Sequence, residues 1–400
     1  MADPSVDDRG ESTRAVHGPA IEVPAEDPFG LPVYRSAVFG FESAEQYAEV
    51  LGGRSPGYVY SRIDNPTSDA FARAFAALEG HGTGIRVEAQ PFASGMAAIS
   101  TALFTLCSAG EHVLVEGAVY GGTYGLLTGL FARFGVEVDF VSSVREAKDA
   151  MRPTTRVLWT ETIANPTLAV ADLSALSENA HDANASFVVD STFATPFVCQ
   201  PLLYGADLVV HSATKYIGGH SDVTGGVVAG SPELIGEVRA TRITLGGSLS
   251  PDDAFLLHRG LTTLPLRIER HCASAAYVAQ ALEGQRGLER VLYPGLTSHP
   301  DHDRAAKLFI EGRFGGIVTL IPTGGRDGGQ AFCDRLHLIR NATSLGGTHS
   351  VISHVASTTH RQMDDDALLD AGIPPSAVRV SVGLEDPEDV ARDLLAALSD

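Results

Sequence analysis

The most constraining feature of the sequence is an alternation of short apolar runs with amphipathic stretches between about residues 68 and 245. The apolar runs lie at 111–116, 136–141, 156–160, 187–189, 208–211 and 226–229. Stretches with helical spacing lie among them, at 95–106, 123–134, 173–181 and 232–242. Because a strand, a helix and a second strand in this order form a βαβ unit, the alternation predicts an α/β fold with a mostly parallel central sheet.

The sequence on either side of this region predicts two further parts of the molecule. Residues 1–62 contain many glycines and prolines and little periodicity, which is typical of an extended N-terminal arm. After Pro251 helical spacing runs to about Leu282, and shorter strand-like and helical stretches follow, at 291–294, 302–309 and 316–322. We therefore predict a large domain over 63–251 and a smaller α+β C-terminal domain over 252–400.

The charge of the chain favours a small molecule as its partner. Aspartate and glutamate number 49 against 29 lysines and arginines, and the resulting net charge of −20 repels nucleic acid and anionic membrane surfaces. No apolar run reaches the ~20 residues that a membrane-spanning helix needs. Residues 1–12 lack the basic start and the apolar segment of a secretory signal. We expect a cytoplasmic protein with neither a nucleic-acid partner nor a membrane partner.

The cysteines indicate neither a disulfide framework nor a metal site. They are far apart and form no Cys-x-x-Cys pair, which argues against a zinc ribbon. We expect all four to be small buried side chains: Cys107, Cys199, Cys272 and Cys333.

Only three lysines occur in the chain, and Lys215 follows a predicted strand in the segment 207–222. In an extended stretch Ser212 and Thr214 point the same way and Lys215 the opposite way, so two hydroxyls can hold a phosphate while the lysine reaches another atom of the same ligand. Pyridoxal phosphate (PLP) is such a ligand, because its aldehyde reacts with a lysine that its pocket has made able to lose a proton. The alternative is an ordinary surface lysine after a strand.

Further chemistry-bearing residues follow other predicted strands. Asp190 ends a fully apolar strand, where an unpaired carboxylate is costly, and a protonated pyridine nitrogen would be a suitable cationic partner. The amides of Gly95 and Met96 begin a predicted helix and can bind phosphate, although Ser94 before them could be an ordinary helix cap. Tyr120 follows the strand at 113–116 and could stack on a cofactor ring or simply pack. These positions all fall at one edge of the predicted sheet.

Taken together, these segments resemble the Cys/Met-metabolism family of PLP enzymes. That family holds cystathionine γ-synthase, the cystathionine lyases, methionine γ-lyase and the O-acylhomoserine sulfhydrylases. The resemblance runs in order from about Thr13 to the C-terminus. It is carried by 60–67 (YSRIDNPT), 94–96 (SGM), 120–123 (YGGT), 161–167 (ETIANPT), Asp190, 212–216 (SATKY), 249–251 (LSP), 259–261 (RGL) and 379–385 (RVSVGLE).

The resemblance implies PLP-dependent fold type I, which is aspartate-aminotransferase-like, and a role for each matching residue. Lys215 would form the imine with the cofactor, Asp190 would pair with the pyridine nitrogen, and Tyr120 would stack on the ring and transfer protons. The phosphate ligands implied within one subunit are Gly95, Met96, Ser212 and Thr214. The residues implied to bind or position the substrate are Asn165, Ser344, Arg379 and Tyr60.

The resemblance also implies that the site is shared between subunits. Tyr60 and Arg62 would reach from the arm of one subunit to the cofactor phosphate of its neighbour, which makes a homodimer obligatory. A tetramer of two such dimers is usual in the family. The remaining partner would be a small-molecule amino-acid substrate.

The reaction that we expect is γ-elimination from an L-amino acid with a small, uncharged γ-substituent. It would release a 2-oxo acid and ammonia, or an unsaturated amino acid. The alternatives are γ-replacement of the O-acylhomoserine sulfhydrylase or cystathionine γ-synthase type and action on an unusual substrate such as a γ-halogenated amino acid. A PLP-binding protein without catalysis is the least favoured alternative, because none of the implied residues is missing.

Departures from the family pattern support the expectation of an uncharged substituent. Gly125 stands where cystathionine-processing members carry an arginine, and Thr343 stands where related cystathionine lyases carry a glutamate, although Arg35 or Arg54 could supply a charge from another direction. Methionine γ-lyases typically have cysteine at the position of Gly122. His349 is either a specificity residue or a surface histidine.

Overall fold

The computed structural model describes residues 28–310, 312–359, 361, 364–370 and 372–398. The chain divides into two compact units, residues 1–32 and 33–400. In the first unit only residues 28–32 are described, and they form no helix or strand. Residues 1–27 of the predicted arm therefore lie outside the described residues.

The second unit is built from β-strands that form two sheets and from helices that surround them. The strands are β1 (Glu88–Phe92), β2 (His112–Glu116), β3 (Glu137–Val141), β4 (Thr155–Glu161), β5 (Ser186–Asp190), β6 (Leu208–His211), β7 (Gly226–Gly230), β8 (Leu288–Leu292), β9 (Ile317–Pro322), β10 (Arg340–Asn341), β11 (Val351–His354) and β12 (Val378–Ser381).

The α-helices are α1 (Ala44–Leu51), α2 (Pro66–Glu79), α3 (Gly95–Leu106), α4 (Gly121–Gly125), α5 (Val144–Ala150), α6 (Leu173–Asp182), α7 (Pro232–Leu245), α8 (Pro251–Leu261), α9 (Leu264–Leu282), α10 (His302–Leu308), α11 (Gly325–Asp334), α12 (Asp365–Asp370) and α13 (Pro387–Ala396). A π-helix at Leu126–Phe131 follows α4, and short 3₁₀ turns lie at Pro201–Tyr204 and Val355–Ser357.

The larger sheet has the strand order β1-β7-β6-β5-β4-β2-β3 and is mostly parallel, as predicted. The exception is β7, which is antiparallel to both β6 and β1. The reason lies in the connection between β6 and β7, residues 212–225, which contains no helix. A parallel return normally needs a helical crossover.

Both faces of the larger sheet are covered by apolar layers. Alternate residues of one strand enter different clusters: Phe187 and Val189 pack on one face and Val188 on the other. Strands buried on both faces are characteristic of parallel sheets, and they explain the continuous apolar runs in the sequence.

The smaller sheet has the order β10-β11-β12-β9-β8 and is antiparallel except between β10 and β11. Its core is a separate cluster in which Val278 and Leu282 of α9 and Leu394 of α13 pack with Val318 and Val380 of the sheet. An α+β organisation is what we predicted for this part of the chain.

Three predicted elements differ from the structure. The predicted helix at 251–282 is two helices, α8 and α9, because Pro265 lies in the first turn of α9, where its missing N–H is harmless but where it cannot continue a preceding helix. The predicted helix at 123–134 starts at Gly121 and becomes a π-helix. The predicted extended arm contains α1, which is only about two turns long and lies among the glycines and prolines of the arm, although its apolar residues have helical spacing: Ala44, Tyr47, Ala48 and Leu51.

The structure also bears on the predictions about the cysteines and about membrane-spanning helices. All four cysteines are buried and unpaired with one another, as expected. Within the described part of the chain, no helix combines the length and the apolar character that crossing a bilayer requires.

Candidate active site

Three neighbouring strands of the larger sheet bring polar side chains to one edge. Strand β4 ends at Glu161 and β5 at Asp190, and these two residues are direct partners in the register of the sheet. Strand β6 is followed by Ser212, whose backbone N–H donates to Thr192 Oγ1 in the loop after β5 (2.8 Å). The carboxyl ends of parallel strands are where ligands bind in open α/β sheets.

Lys215 lies in the loop after β6 and contacts the C-terminal part of the chain. Its Nζ donates to Ser344 Oγ at 2.8 Å. Burial, and then the positive charge of Arg379, lower the pKa of Lys215 from 10.5 to about 8. The neutral amine, which is the nucleophilic form, is therefore accessible near physiological pH.

Asp190 is buried and only partly satisfied by the protein. Its Oδ1 accepts hydrogen bonds from Thr192 N (3.0 Å) and Thr192 Oγ1 (2.6 Å). Burial raises the pKa of Asp190, and the Thr192 donors and the nearby His211 oppose this rise. Its second oxygen, Oδ2, accepts no hydrogen bond among the described residues, so it is the atom left for a cationic ligand group.

The start of α3 lies directly against Ser212. A Cβ on Gly95 would lie 2.7 Å from Ser212 Oγ, so only glycine lets the helix approach this closely. Ser94 caps the helix by accepting from Ala97 N (3.1 Å). The N–H groups of Gly95 and Met96 have no hydrogen-bond partner among the described residues and, with the Ser212 hydroxyl, form an anion-binding corner.

The Thr214 hydroxyl makes hydrogen bonds within the protein, which we did not expect of a predicted phosphate ligand. Its Oγ1 donates to Gly225 O (3.1 Å) and accepts from Gly225 N (2.9 Å). The hydroxyl therefore closes the loop between β6 and β7. It can serve a phosphate only if its O–H turns away from Gly225.

Tyr120 lies at the same edge, just before α4. Its backbone N–H donates to Glu161 Oε1. A Cβ on Gly122 would lie 2.4 Å from the Tyr120 ring and 2.9 Å from Met96 Sδ, so Tyr120 and Met96 are neighbours and Gly122 provides the space between them. The ring is 43% exposed, as expected of a side chain that faces a ligand site rather than a core.

Arg379 is a buried cation that pairs with no carboxylate among the described residues. Its Nη1 donates to Asn165 Oδ1 (3.0 Å) and its Nη2 to Ser344 O (3.1 Å), while Nε has no partner. Burial lowers the pKa of Arg379 to about 10. A buried guanidinium without a counter-ion is a strong binding site for a carboxylate ligand.

Tyr60 and Arg62 make their contacts away from this cluster. The Arg62 guanidinium lies 5.7 Å from the centre of the Tyr60 ring, and its Nη1 donates to Ile243 O at 2.6 Å. Tyr60 forms a backbone bridge with Val38. No hydrogen bond among the described residues joins either side chain to Lys215, Asp190 or Arg379, so their place in a neighbouring subunit's site remains a prediction.

The residues that differ from the family pattern, and the arginines that could compensate for a missing charge, lie mostly on the surface. Arg35 is paired with Asp252 (2.7 Å) and Arg54 with Glu49 (3.0 Å), so both charges are already engaged. Thr343 and His349 are exposed, and His349 Nδ1 is 3.0 Å from Thr348 Oγ1.

The sequence interpretation missed two groups of polar residues. Glu161, like Asp190, is a carboxylate at the end of an apolar strand, so the argument used for Asp190 could have found it. His211 and Glu79 form a fully buried pair, Nε2 to Oε2 at 3.1 Å, and because they are 132 positions apart in the chain nothing in the sequence indicates that they pair.

The residues present fit PLP. The depressed pKa of Lys215 suits imine formation, the free oxygen of Asp190 suits a pyridinium, and the amides before Ala97 suit a phosphate. Among the described residues, no three histidine, cysteine or acidic side chains are grouped closely enough to hold a metal ion.

Comparisons with known proteins agree with this geometry. A family model described as "Cys/Met metabolism PLP-dependent enzyme" matches residues 12–399. An L-methionine γ-lyase of Fusobacterium nucleatum subsp. polymorphum is 40% identical over 96% of this chain and 97% of that protein. An O-succinylhomoserine sulfhydrylase of Pseudomonas aeruginosa is 41% identical over 94% and 92%.

A solved structure adds the cofactor to the comparison. It is a Campylobacter jejuni protein described as an O-acetylhomoserine (thiol)-lyase, and it carries N'-pyridoxyl-lysine-5'-monophosphate. It is 30% identical, covers 97% of this chain and 99% of its own, and superposes with a TM-score of 0.89.

Proposed function

We propose that this chain, which belongs to the family of Cys/Met metabolism PLP-dependent enzymes, catalyses γ-elimination from an L-amino acid with a small, uncharged γ-substituent. Membership confirms the predicted fold type I, the PLP cofactor and the assignment as a lyase or transferase of trans-sulfuration. The observation that carries the proposed function is the cluster in which Lys215 Nζ lies 2.8 Å from Ser344 beside the unpaired Arg379.

Each residue of the cluster has a task in this reaction. PLP supplies an aldehyde for the substrate amine and a ring that withdraws electrons from the substrate α-carbon. Lys215 removes the α-proton and helps to remove a β-proton, and Asp190 holds the proton on the ring nitrogen. Tyr120 donates a proton to the leaving group. After the leaving group has departed, addition of water to the unsaturated product that remains yields a 2-oxo acid and ammonia.

Arg379 and Asn165 orient the substrate in this proposal. The Arg379 guanidinium would pair with the α-carboxylate, which supplies the anion that its burial calls for. Asn165 Oδ1 accepts from Arg379 Nη1 and fixes the plane of the guanidinium. A substrate held at its carboxylate keeps its Cα within reach of Lys215.

Three observations support an uncharged γ-substituent. Gly125 brings no charge to the site, Thr343 is neutral, and the arginines that could replace a missing charge are paired with Asp252 and Glu49. The similarity to an L-methionine γ-lyase over 96% of this chain agrees with a neutral substituent.

A product screen tests the proposal. PLP-loaded protein is incubated with L-methionine, L-cystathionine, O-acetyl-L-homoserine, O-succinyl-L-homoserine and a γ-halogenated amino acid, each with and without added thiol. We expect a 2-oxo acid and ammonia from a neutral substrate without thiol. No 2-oxo acid from any of these substrates would contradict γ-elimination.

γ-Replacement is the second candidate, and the 41% identical O-succinylhomoserine sulfhydrylase favours it. In that reaction a thiol, rather than water, attacks after the leaving group has departed. A new thioether that appears only with added thiol, and no 2-oxo acid without it, would select this candidate.

The assembly that we propose is a dimer with shared active sites. Tyr60 and Arg62, in the arm predicted over residues 1–62, would reach the cofactor phosphate of the neighbouring subunit. Their contacts in the chain, with each other and with Ile243, leave both side chains exposed and available to a second copy.

A further inference from the structure

Among the described residues, Glu161 is the one carboxylate that accepts hydrogen bonds from two different loops of the proposed active site. Its Oε1 accepts from the backbone N–H of Tyr120 (2.5 Å), and its Oε2 accepts from the backbone N–H of Asn165 (3.2 Å). Tyr120 comes from the loop after β2, and Asn165 comes from the loop after β4. The Glu161 side chain therefore links two loops that the sequence separates.

The two contacts require a carboxylate and not merely any polar side chain. Both partners are N–H donors, so the group between them must present two acceptors. A glutamine presents one oxygen and one NH₂, and the NH₂ would face an N–H. A neutral carboxylic acid has the same defect, because its O–H would face a donor.

The Glu161 carboxylate is buried in this position and has lost most of its contact with water. It is 6% exposed and lies beside Asp190, its register partner in β5. Burial and then Asp190 raise the pKa of Glu161 well above its usual range, while the two N–H donors and Arg379 oppose this rise. An unfavourable buried charge at this point needs a reason other than general packing.

We propose that Glu161 is a positioning residue that sets the Tyr120 ring and the Asn165–Arg379 pair in one geometry. This inference rests on the proposed function, since it concerns the residues that meet the cofactor ring and the substrate carboxylate. Moving the Tyr120 backbone moves its ring, and moving Asn165 turns the guanidinium to which it is bonded. Misplacement of such groups by ~1 Å can lower a rate about 100-fold.

Glu116 is the matched control for this role. It ends β2, next to β4, it is also a carboxylate that is partly buried, and its Oε2 accepts from Thr160 Oγ1 (2.8 Å). It has no hydrogen bond with Tyr120 or Asn165 among the described residues. Glu116→Gln keeps an oxygen that can accept a hydrogen bond from Thr160. It therefore removes a carboxylate at the end of a strand without breaking the hydrogen bonds that join the loops of Tyr120 and Asn165.

The test is a titration of PLP-loaded protein with L-alanine, an amino acid that has no γ leaving group. Binding is measured from the change in the absorbance of the cofactor. We expect Glu161→Gln to keep stoichiometric PLP and to bind L-alanine about 10-fold or more weakly, with a similar fall in kcat/KM on the best substrate of the product screen. Glu161→Asp, which retains two acceptor oxygens, should recover part of the loss. Glu116→Gln should stay within about twofold of wild type.

Two outcomes would overturn the inference. The first is wild-type affinity for L-alanine in Glu161→Gln, whether or not its melting temperature falls. The second is an equal loss of affinity in Glu116→Gln. If Glu161→Gln does not fold, Glu161→Asp decides alone, and wild-type affinity there overturns the proposal. A wild-type protein with no response to L-alanine would instead show that the proposed function, and this inference with it, is wrong.

Discussion

Lys215 lies where burial disfavours its charged form. This position affects both the stability of the folded protein and the reactivity of the lysine amine. Burial beside Arg379 lowers its pKa to about 8, while the unfolded chain keeps the usual value of 10.5. Below pH 8 the folded protein bears the full penalty of a buried ammonium, and the penalty disappears as the pH rises from about 8 to 10.5. The difference of about 2.5 pKa units corresponds to about 3 kcal/mol.

Lys215→Met should therefore stabilise the cofactor-free protein at pH 7. We expect a net gain of about 2 kcal/mol, because the lost hydrogen bond to Ser344 offsets about 1 kcal/mol of the relieved penalty. Urea unfolding at pH 7 and pH 10 measures it, and the gain should shrink at pH 10. Lys148→Met, at an exposed site, is the control. A variant less stable than wild type at pH 7 would contradict the assignment of a buried ammonium.

Lys215→Ala tests the chemistry of the same residue. We expect loss of turnover and of the imine absorbance near ~420 nm, because no other lysine lies in the cluster. Lys148→Ala should retain both. Turnover by Lys215→Ala would be incompatible with the role proposed for Lys215.

At the scale of elements, predictions succeeded where a local signal marks a boundary. Helix α3 has the predicted bounds because Ser94 caps its first turn, and β6 has the predicted bounds because three apolar residues, 208–210, lead directly to His211 at its end. Helix α1 was missed because its eight residues, although apolar at helical spacing, are followed directly by Gly52 and Gly53 in a stretch rich in glycine and proline. The π-helix after α4 was missed because the apolar spacing at Leu126–Phe131 resembles that of an ordinary helix.

The C-terminal end of α4 offers a test of substrate charge. Gly125 has helical dihedral angles (φ −64°, ψ −34°), and a Cβ added there meets no atom within 4 Å. Gly125→Arg should therefore fold and should improve kcat/KM for a substrate with a distal carboxylate about 10-fold relative to a neutral one. Steady-state kinetics on L-cystathionine and L-methionine measure the ratio. Gly129→Arg, also at an open position, is the control, and an unchanged ratio in Gly125→Arg would place the γ-substituent elsewhere.

At the scale of the whole molecule, the sequence predicts the main site residues but not how they are arranged. The roles of Lys215, Asp190 and Arg379 were implied by motifs. The bond from Lys215 to Ser344 spans 129 residues and that from Arg379 to Asn165 spans 214, and only the packing of both sheets creates such contacts. The hydrogen bond between Tyr120 and Glu161 is another contact between distant parts of the sequence, because the two residues are 41 positions apart.

The proposed sharing of the active site between subunits predicts complementation between inactive chains. Arg62→Ala and Lys215→Ala should each be impaired as homodimers. In co-expressed chains, random pairing makes half of the dimers mixed, and each mixed dimer has one intact site of two. We therefore expect about a quarter of wild-type activity from the mixture. Activity no higher than the sum of the separate variants would mean that Arg62 does not act across the interface.

The long reach of the Lys215–Ser344 and Arg379–Asn165 contacts also bears on how the protein is made. A ribosome that has translated the entire larger sheet has already produced Lys215, Asp190 and Asn165 but neither Ser344 nor Arg379. The nascent chain therefore carries its lysine without the two residues that we propose bind and position the substrate. Premature termination anywhere before codon 379 yields a product without Arg379, so under the proposed role of Arg379 activity in a cell reports only on chains whose translation has passed that point.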